Sequence, residues 1–410
     1  LTTTQWTIMS NNFKSICVIG LCYIGLPTAS LLGTKGFKVT GVDVSEDIVN
    51  TINQGKIHIV EPDLDLLVKS AVNSGNLKAS LTPVNADIFI IAVPTPFKEN
   101  KVPNLSYVEN AAKAIAPYIE PGNLVILEST SPVGTTDEYV AKILEQAGHN
   151  ISKDIFIAHC PERVLPGRIL IELVQNDRIV GGINDASTAK AAEFYRSFVS
   201  GKVLETTAKT AELSKLTENS FRDVNIAFAN ELSLICDKEN IDVWELIKLA
   251  NHHPRVNILQ PGPGVGGHCI AVDPWFIIDR NPEQARLIRT AREVNDSKPD
   301  WVISKIKEKA ERFKKPVIAC LGLAFKADID DLRESPSVEI VKKLSALNIA
   351  DIVVCEPNIK SHPTFKLLDL ETAIEKADII VVLVDHTPFK VLSASKLSEK
   401  IVIDTRGIVK

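Results

Sequence analysis

Short apolar runs alternate with helix-length amphipathic segments along most of this chain, and this alternation constrains the fold more than any other feature. The first runs are SICVIG, FKVTGVD, DIFIIAV, NLVILES and DIFIAHC, each bounded by Gly, Pro, Asp or Ser. Strands that alternate with helices in this way form a parallel α/β sheet. Because the runs are almost continuously apolar, helices are expected on both faces of the sheet. Two further runs, DRIVGG and KVLET, extend the predicted sheet to about residue 206.

A long helix separates this first block of strands from a second one. The segment from Thr210 to Asn240 contains no Gly or Pro and repeats its apolar residues at helical spacing, which predicts one continuous helix. A second helix (DVWELIKLANHH), a loop rich in Gly and Pro, and a further helical region follow, up to about residue 313. Strand-like runs resume at Pro316 with VIACLGLAF, DIVVCEP, DIIVVLVDH and IVIDTRG.

The final block repeats the organisation of the first. SICVIGLCYIG resembles VIACLGLAFK, and NADIFIIAVPT resembles KADIIVVLVDHT, although parallel strands can also look alike by chance. The prediction is an α/β protein with two Rossmann-like, doubly wound parallel-sheet domains (13–206 and 314–410), joined by a long central helix and a helical middle domain (207–313). Two such domains facing each other would form a cleft suited to a substrate.

Charge, hydropathy and cysteine usage exclude several classes of function. With 46 Lys and Arg against 51 Asp and Glu, the chain lacks the basic excess of a nucleic-acid-binding protein. Its longest strand-like apolar runs fall far short of the roughly 18 residues that span a bilayer, so no membrane insertion is expected. Seven cysteines without CxxC spacing favour a reducing compartment, and the cytoplasm is the expected location. Residues 1–12 do not resemble a signal peptide, and residues 1–8, which precede the only methionine, are expected to take no part in the fold.

A glycine turn after the first strand has the form of a dinucleotide-binding site. The motif GLCYIG, from Gly20 to Gly25, follows a buried strand and opens a helix, where backbone N–H groups and the helix dipole favour a pyrophosphate. Asp43 ends the next strand and can accept hydrogen bonds from both ribose hydroxyls while repelling the 2′-phosphate of NADP. NAD is therefore the predicted cofactor, and a structural turn in a nucleotide-free domain is the alternative. The middle glycine of G-x-G-x-x-G is replaced by Cys22, which leaves the affinity for NAD open.

A second glycine-rich loop, GPGVGGHCIAVD (262–273), contains Cys269 and, four residues later, Asp273. Glycines let the backbone of a loop come close to a ligand. Cys160, at a strand end, is ambiguous. Core packing is expected for the cysteines on predicted strands or on the long helix, which are Cys17, Cys236, Cys320 and Cys355. Cys269 is the candidate nucleophile because loop, glycine and charge surround it.

A thiol beside a nicotinamide has a specific use. An aldehyde has no hydride to give until a nucleophile makes its carbon tetrahedral, and a thiolate does this by forming a thiohemiacetal, whose oxidation yields a thioester. Water then releases the acid, and either Asp273 or Glu162 is the carboxylate that positions or deprotonates it. Lys215 on the long helix is the candidate to stabilise the alkoxide, with a solvated helix lysine as the alternative.

Six long motifs are distributed over nearly the whole chain, from about Ser15 to Lys410. They are AVPTPF, ESTSPVGTT, CPERVLPG, AELSKLTENSFRDVNIAFANELS, NHHPRVNILQPGPGVGGHCIAVDPWF and GLAFKADIDDLRESP. Together they resemble the UDP-glucose/GDP-mannose dehydrogenase family. The resemblance implies two successive NAD-dependent oxidations of C6 of a sugar nucleotide at one site, through a retained aldehyde and a cysteine thioester.

The same resemblance implies a substrate. CPERVLPG and HCIAVDPW favour UDP-N-acetyl-D-mannosamine, oxidised to its uronate for a surface polysaccharide of the enterobacterial common antigen type. UDP-N-acetylglucosamine, UDP-glucose and GDP-mannose remain alternatives, because the members that act on them share the cysteine, the lysine and the glycine loop.

The resemblance also implies site residues and a homodimer with the long helix at its core. No metal is expected. The implied catalytic residues are Cys269 as nucleophile and Lys215 as acid/base and oxyanion group. Asn219, Asp273 and Glu162 complete the expected catalytic set. The NAD contacts, beside Gly20 and Gly25, are Tyr23, Ile24, Asp43, Thr95, Thr130 and Arg333. The sugar-nucleotide contacts, beside Lys215 and Asn219, are Arg163, Val164, Arg222, His253, Arg255, Gly266, Phe325, Lys326 and Arg406.

Two other functions share part of this pattern. A two-electron dehydrogenase of the hydroxyacid type would share the first domain and the long helix, but would need neither Cys269 nor the final domain. A catalytically silent sugar-nucleotide-binding protein is motivated by Cys22. Counting NADH separates the enzymes, because the four-electron reaction forms two per sugar and the two-electron reaction forms one.

Overall fold

Two compact units make up the chain, divided between Leu216 and Thr217. The structure is a computed structural model that describes residues 13–151, 153–165, 167–393, 395 and 397–409. The expectations for residues 1–12 therefore lie outside the described residues. The segment predicted as a middle domain falls mostly in the second unit, and the three-domain division stays a prediction. In the described part of the chain, no helix is both long enough and apolar enough to cross a bilayer.

An eight-stranded sheet, counted over the described residues, is the framework of the first unit. Its strands are β1 (Ser15–Ile19), β2 (Lys38–Val42), β3 (Leu77–Ser80), β4 (Ile88–Ile91), β5 (Leu124–Leu127), β6 (Phe156–His159), β7 (Arg178–Gly182) and β8 (Val203–Thr207). Their order in space is β3-β2-β1-β4-β5-β6-β7-β8, and neighbouring strands are parallel except β6 and β7. The strand order reverses between β1 and β4, which is where open α/β sheets bind ligands.

Helices cover both faces of this sheet. They are α1 (Gly25–Thr34), α2 (Glu46–Asn53), α3 (Leu64–Asn73), α4 (Ser106–Ile115), α5 (Ala141–Gln146), α6 (Ile169–Gln175) and α7 (Asp185–Arg196), with a π-helical turn (Thr135–Val140) before α5 and short 3-10 turns at Glu99–Lys101 and Ala116–Tyr118. Along β1, Ile16 and Val18 join one hydrophobic core, while Cys17 and Ile19 join the other. This alternation confirms the prediction of burial on both faces.

Two features of the sheet differ from the sequence analysis. Strand β3 was not predicted because it lies at the sheet edge, and Leu77 and Ala79 are buried while Lys78 between them is exposed, so no apolar run marks it. Strands β7 and β8 extend the sheet as predicted, but β7 runs antiparallel to β6. The connection from β6 to β7 contains the seven-residue helix α6. After it, β7 runs alongside β6 in the opposite direction.

The long helix is confirmed as α8 (Ala208–Glu239), with 32 residues. Three helices follow it, α9 (Val243–Ala250), α10 (Asp273–Arg280) and α11 (Arg286–Ala310). The structure thus confirms both the second predicted helix and the helical region predicted up to about residue 313. In the second unit, α8 and α11 are joined by buried polar side chains, among them the ion pair of Asp223 and Arg292.

A four-stranded parallel sheet, again counted over the described residues, lies in the second unit. Its strands are β9 (Val317–Leu321), β10 (Asp351–Cys355), β11 (Ile379–Val382) and β12 (Ile401–Asp404), in the order β10-β9-β11-β12, with helices α12 (Pro336–Leu347) and α13 (Leu370–Lys376) and a 3-10 turn at Thr387–Phe389. Ile318 and Cys320 enter one core, and Ala319 and Leu321 enter the other. The predicted fold class, with two Rossmann-like sheets and a helical middle segment, is confirmed.

Both sheets repeat one arrangement after their first strand. Gly322 has φ +98°, close to the +92° of Gly20, and Glu356 follows β10 as Asp43 follows β2. The carboxylate of Glu356 is buried. Its Oε2 atom contacts the amides of Leu323 at 2.7 Å and Ala324 at 3.0 Å and the Nε2 atom of His386 at 3.0 Å. The second turn is therefore filled by the protein's own groups.

Candidate functional site

The turn after β1 lets another group approach the backbone closely. Gly20 has φ +92°, and a Cβ there would lie 2.7 Å from the carbonyl oxygen of Ala92. A Cβ at Gly25, the first residue of α1, would lie 1.8 Å from the carbonyl oxygen of Gly20. Both glycines of the predicted motif are therefore required by the geometry. The turn lies at the N-terminus of α1, where the helix dipole favours phosphate.

Asp43 faces this turn from the end of β2. Its Oδ2 atom accepts a hydrogen bond from the amide of Leu21 at 3.0 Å, and its Oδ1 atom accepts one from the amide of Ser45 at 3.0 Å. Each oxygen keeps a further lone pair, so the carboxylate can also accept hydrogen bonds from ribose hydroxyls. The glycine cradle and this carboxylate fit a dinucleotide of the NAD type.

Cys22 occupies the middle of the turn. Its side chain is half-buried, and burial, followed by the neighbouring carboxylate of Asp43, raises the pKa of its thiol. The thiol therefore stays neutral near neutral pH and brings no negative charge to the phosphate region. Cys22 does not have a positive φ, so the backbone conformation itself does not require glycine at this position.

Two of the predicted NAD contacts meet beyond the carboxyl ends of β4 and β5. Thr95 donates its hydroxyl to the carbonyl oxygen of Thr130 at 2.5 Å. Tyr23 is 44% exposed, and Ile24 is the residue that precedes the first turn of α1. Arg333 lies in the second unit, where its guanidinium pairs with Asp331, with 2.6 Å between Nη2 and Oδ2.

Glu162 and the two predicted substrate residues that follow it leave the carboxyl end of β6. The Oε2 atom of Glu162 pairs with Nη1 of Arg178 at 3.0 Å, and its Oε1 atom accepts a hydrogen bond from the amide of Arg163 at 2.6 Å. Because β7 runs antiparallel to β6, its first residue, Arg178, lies beyond the carboxyl end of β6, where Glu162 also lies. Val164 is half-buried. The carboxylate of Glu162 is thus neutralised by a buried guanidinium.

A buried polar cluster beside Glu162 was not predicted. Tyr195 donates its hydroxyl to Oε1 of Glu128 at 2.6 Å. Burial, with the charge of Glu162 adding to it, raises the pKa of Glu128 to about 7. The only sequence signals are charged residues inside apolar runs, as in VILES and DRIVGG. The partners are too far apart in sequence for spacing to have paired them.

Burial settles the roles of five cysteines. Cys160, which was ambiguous, is fully buried, and burial raises the pKa of its thiol to about 12. The four cysteines assigned to packing are also buried, as predicted. Burial raises their pKa values, to about 11 at Cys17, to about 12 at Cys320 and Cys355, and in the same direction at Cys236.

Cys269 differs from these five, because its side chain is half-buried. Gly264 and Gly267, in the loop that precedes it, have φ values of +150° and +82°, which L side chains rarely adopt. The Sγ atom of Cys269 lies 3.8 Å from Nε2 of His268. The thiol is therefore held in a loop whose path depends on glycine, and it is not part of a hydrophobic core.

Asp273 and Asn219 lie next to the cysteine loop. The amide of Asp273, the first residue of α10, donates to the carbonyl oxygen of Cys269 at 2.8 Å. The side-chain amide of Asn219 donates to Oδ2 of Asp273 at 2.6 Å, and both side chains are buried. The structure therefore brings together three residues of the predicted catalytic set.

The glycine loop also lies against two predicted substrate residues. A Cβ at Gly266 would lie 2.8 Å from Cβ of Phe325, and a Cβ at Gly262 would lie 2.5 Å from Nη1 of Arg406. Arg406 is in turn held by Asp385, with 2.7 Å between Nη2 and Oδ1. At Gly266 only glycine leaves room for its neighbour, whereas at Gly262 an added Cβ would displace the guanidinium of Arg406.

The remaining predicted residues are at least partly accessible. Lys215 is half-buried in the part of α8 that belongs to the first unit. Of these remaining residues, those in the second unit are exposed, and they are Arg222, His253, Arg255 and Lys326. The contacts assigned to them from the resemblance stay predictions.

Comparison with known proteins gives three consecutive matches to models of one family, the UDP-glucose/GDP-mannose dehydrogenase family. Its NAD binding domain matches residues 14–199, its central domain 209–297, and its UDP binding domain 319–410.

Relatives of the chain are similar over almost their full length. An NDP-N-acetyl-D-galactosaminuronic acid dehydrogenase of Ralstonia solanacearum is 57% identical over 97% of this chain and 96% of its own. The UDP-N-acetyl-D-mannosamine dehydrogenases of Campylobacter jejuni and Escherichia coli are 58% and 53% identical, over 94% and 97% of this chain and 99% of each relative. The solved UDP-N-acetyl-mannosamine dehydrogenase of Staphylococcus aureus has a TM-score of 0.89 at 43% identity, covering 97% of this chain and 96% of its own.

The family models agree with the geometry of both units. The NAD binding domain contains the glycine cradle and Asp43, and the UDP binding domain contains Phe325 and Arg406. The predictions of NAD as cofactor and of a dehydrogenase are confirmed. The chain belongs to the UDP-glucose/GDP-mannose dehydrogenase family and is an NAD-dependent UDP-sugar dehydrogenase.

Proposed function

We propose that this enzyme oxidises C6 of UDP-N-acetyl-D-mannosamine to a carboxylate and forms two NADH per sugar. The observation that carries the proposal is the half-buried thiol of Cys269, in a glycine loop whose last residue, Asp273, is held by the buried Asn219. A nucleophile in that position is what separates oxidation to an acid from oxidation to an aldehyde. The likeness to the Campylobacter, Escherichia and Staphylococcus relatives supports the choice of sugar.

Gly20, Gly25 and Asp43 would hold NAD, which would supply the hydride acceptor for each oxidation of C6. In the first oxidation, Lys215 takes the hydroxyl proton as the alcohol becomes an aldehyde. The sulfur of Cys269 then bonds to the aldehyde carbon, and Lys215 and Asn219 stabilise the resulting alkoxide. Loss of the second hydride from this adduct leaves a thioester.

Hydrolysis completes the reaction. Water adds to the thioester carbon, the carbon–sulfur bond breaks, and the carboxylate leaves while the thiol is regenerated. Asp273 is the better candidate to position this water, because its amide is bonded to the carbonyl oxygen of Cys269 and its carboxylate is held by Asn219. Glu162, the other candidate, has its carboxylate paired with the buried Arg178.

A second candidate substrate is a nucleotide-linked N-acetyl-D-galactosamine. The Ralstonia relative supports it, because its 57% identity to this chain lies between the 58% and 53% of the two mannosamine dehydrogenases. UDP-N-acetylglucosamine, UDP-glucose and GDP-mannose are the further alternatives within the family. We propose that the product is used in the cytoplasm for the synthesis of a surface polysaccharide of the enterobacterial common antigen type.

The test is NADH formation by the purified chain with each of these five sugar nucleotides in parallel. We expect turnover with UDP-N-acetyl-D-mannosamine and a ratio of two NADH per sugar; a ratio of one would mean a two-electron enzyme. Cys269→Ser should lose several orders of magnitude in turnover, as deletions of nucleophiles do, whereas the buried control Cys236→Ala should not. If the unmodified chain bound NAD and sugar nucleotide but showed no turnover, its function would be that of a catalytically silent binding protein.

We also propose a homodimer that pairs the α8 helices of two copies. Phe221, Phe228 and Ile235 are 68%, 53% and 51% exposed, and they recur every seven residues along α8. A heptad repeat of exposed apolar side chains forms a stripe that fits an identical helix from a second copy.

A further inference from the structure

A chain of buried side chains between α8 and α11 ends on the glycine loop. The Oδ1 atom of Asn230 accepts a hydrogen bond from the amide of Gly262 at 2.9 Å, and its Nδ2 atom donates to Oδ1 of Asn295 at 2.8 Å. The Nδ2 atom of Asn295 donates to Oδ1 of Asp223 at 2.8 Å, and Nη1 of Arg292 donates to the same oxygen at 2.6 Å. All four side chains are at most 1% exposed.

The donors and acceptors of this chain fix one another's direction. An ionised carboxylate only accepts, so Asn295 must turn its NH₂ group to Asp223 and its oxygen to Asn230. Asn230 must then turn its NH₂ group to Asn295, which leaves its oxygen for the amide of Gly262. Arg292 supports this arrangement because it favours the ionised form of Asp223. Burial raises the pKa of Asp223, and the neighbouring guanidinium is the main influence that lowers it.

One side of the start of the loop faces a cavity. A cavity of about 230 Å³ borders Pro261 and Gly262, between Lys298 and Trp301 of α11 and Thr405 after β12. Gly262 is buried and has no side chain, so its amide is the polar group through which its position can be held. A buried amide that lost its acceptor would be costly.

The far end of the same loop is held by the same helix. Asn219 bonds Asp273, the last residue of the loop, as Asn230 bonds Gly262, its first. The two asparagines are eleven residues apart on α8, close to three helical turns, and therefore share one face. Helix α8 thus holds both ends of the segment that contains Cys269.

We propose that Asn230 is a positioning residue for Cys269, and that Asn295 and the ion pair of Asp223 and Arg292 orient its oxygen toward Gly262. Asn230 acts through the loop and does not touch the substrate. The inference rests on the proposed function in taking Cys269 as the nucleophile. If the loop shifts, the thiol of Cys269 shifts with it, while NAD binding at the first unit's turn is unaffected.

The experiment compares Asn230→Leu, Asn295→Leu and the double variant in the full chain. We expect kcat to fall about tenfold in Asn230→Leu, the effect of losing one buried hydrogen bond at a positioning group, with KM for NAD unchanged. Because Asn295 acts through Asn230, the double variant should be no slower than Asn230→Leu alone. Multiplied losses in the double variant would overturn the proposed orientation by Asn295.

A second readout does not need substrate. The rate at which iodoacetamide alkylates Cys269, followed by peptide mass spectrometry on the unliganded chain, should rise in Asn230→Leu. The control is Val341→Ala, a core variant of the same unit that lowers the thermal midpoint without touching the amide chain. An unchanged alkylation rate in Asn230→Leu, or an equal rise in the control at equal loss of midpoint, would overturn the proposal.

The two readouts separate this proposal from the proposed function. If the unmodified chain oxidises none of the sugar nucleotides, the function fails, yet alkylation still tests the positioning of Cys269. If Asn230→Leu does not fold, Asn230→Ala takes its place. That variant also removes both the acceptor for Gly262 and the donor to Asn295, and the same direction of change is expected.

Discussion

Most thiols of this chain are made unreactive by burial. Five of the seven cysteines are buried and have raised pKa values, so their thiolate forms are scarce near neutral pH. Cys22 and Cys269 are half-buried, and both lie in glycine turns. They differ in their surroundings, because Cys22 faces the carboxylate of Asp43 and Cys269 lies within 3.8 Å of a histidine nitrogen.

Changes at Cys22 should act on NAD binding. We expect Cys22→Gly to bind NAD at least as tightly as the unmodified chain, because a missing Cβ lets the pyrophosphate come closer to the backbone. Cys22→Val should bind about tenfold more weakly, a difference of about 1.4 kcal/mol, since its extra methyl group fills that space. Titration calorimetry with NAD measures both variants, with Cys236→Ala as control. Equal affinities for all four proteins would show that position 22 does not face the dinucleotide.

At the scale of single residues, the sequence predicted those whose role follows from their local context. Gly20, Gly25, Asp43 and Cys269 each stand at a recognisable point of a strand, turn or loop, and the structure places them accordingly. It did not predict Asn230, whose partners on α11 and in the glycine loop are 65 and 32 residues away. Polar contacts of that range arise from tertiary packing, which spacing within one helix does not reveal.

At the scale of elements, apolar periodicity was sufficient for the buried strands and for α8. It failed for β3, where polar and apolar residues alternate over only four positions at an edge. It also could not give the direction of β7, because a buried strand has the same apolar pattern whether its neighbour is parallel or antiparallel. That direction matters, since it brings Arg178 to Glu162 and builds the cluster around Glu128.

The cluster predicts a pH dependence of stability. The folded-state pKa of Glu128, about 7, lies above its ordinary value of 4.5, so its contribution is fully present below pH 4.5 and is lost as the pH rises through 7. The cost of ionising it is at most about 3 kcal/mol, at 1.36 kcal/mol per pKa unit.

In Glu128→Gln, the free energy of unfolding should therefore fall less between about pH 5 and about pH 8 than in the unmodified chain. The amide oxygen can still accept the hydroxyl of Tyr195. Urea unfolding at several pH values in this range measures the slope. Glu109→Gln, which removes a carboxylate that is ionised throughout the range, is the control and should leave the slope unchanged. Identical slopes for Glu128→Gln and the unmodified chain would contradict the assignment.

At the scale of the whole molecule, each unit has its own sheet and its own pair of cores. The strand order β10-β9-β11-β12 matches β2-β1-β4-β5 of the first unit, which is the repeat that the sequence predicted. The division into units at Leu216 and Thr217 could not be predicted, because it falls inside the uninterrupted helix α8.

The proposed dimer depends on the apolar stripe of α8. Phe228→Asp places a charge in the middle of the stripe, and burying an unpaired charge against a second copy is unfavourable. We expect its mass in solution, from sedimentation or light scattering, to be that of one chain, whereas the unmodified chain has the mass of two. Leu66→Asp, which puts a charge on an exposed apolar position of α3, should remain a dimer. A dimeric Phe228→Asp variant would exclude this stripe as the interface.

The filled turn of the second sheet has a consequence for how many nucleotides one chain can carry. Asp43 keeps lone pairs for a visiting ribose, but its counterpart Glu356 is occupied by its own backbone and by His386. Of these two carboxylates, Asp43 is therefore the one that can still accept a ribose. A nucleotide held by the second unit has to be recognised through different groups, so coenzyme and sugar donor do not compete for one another's place.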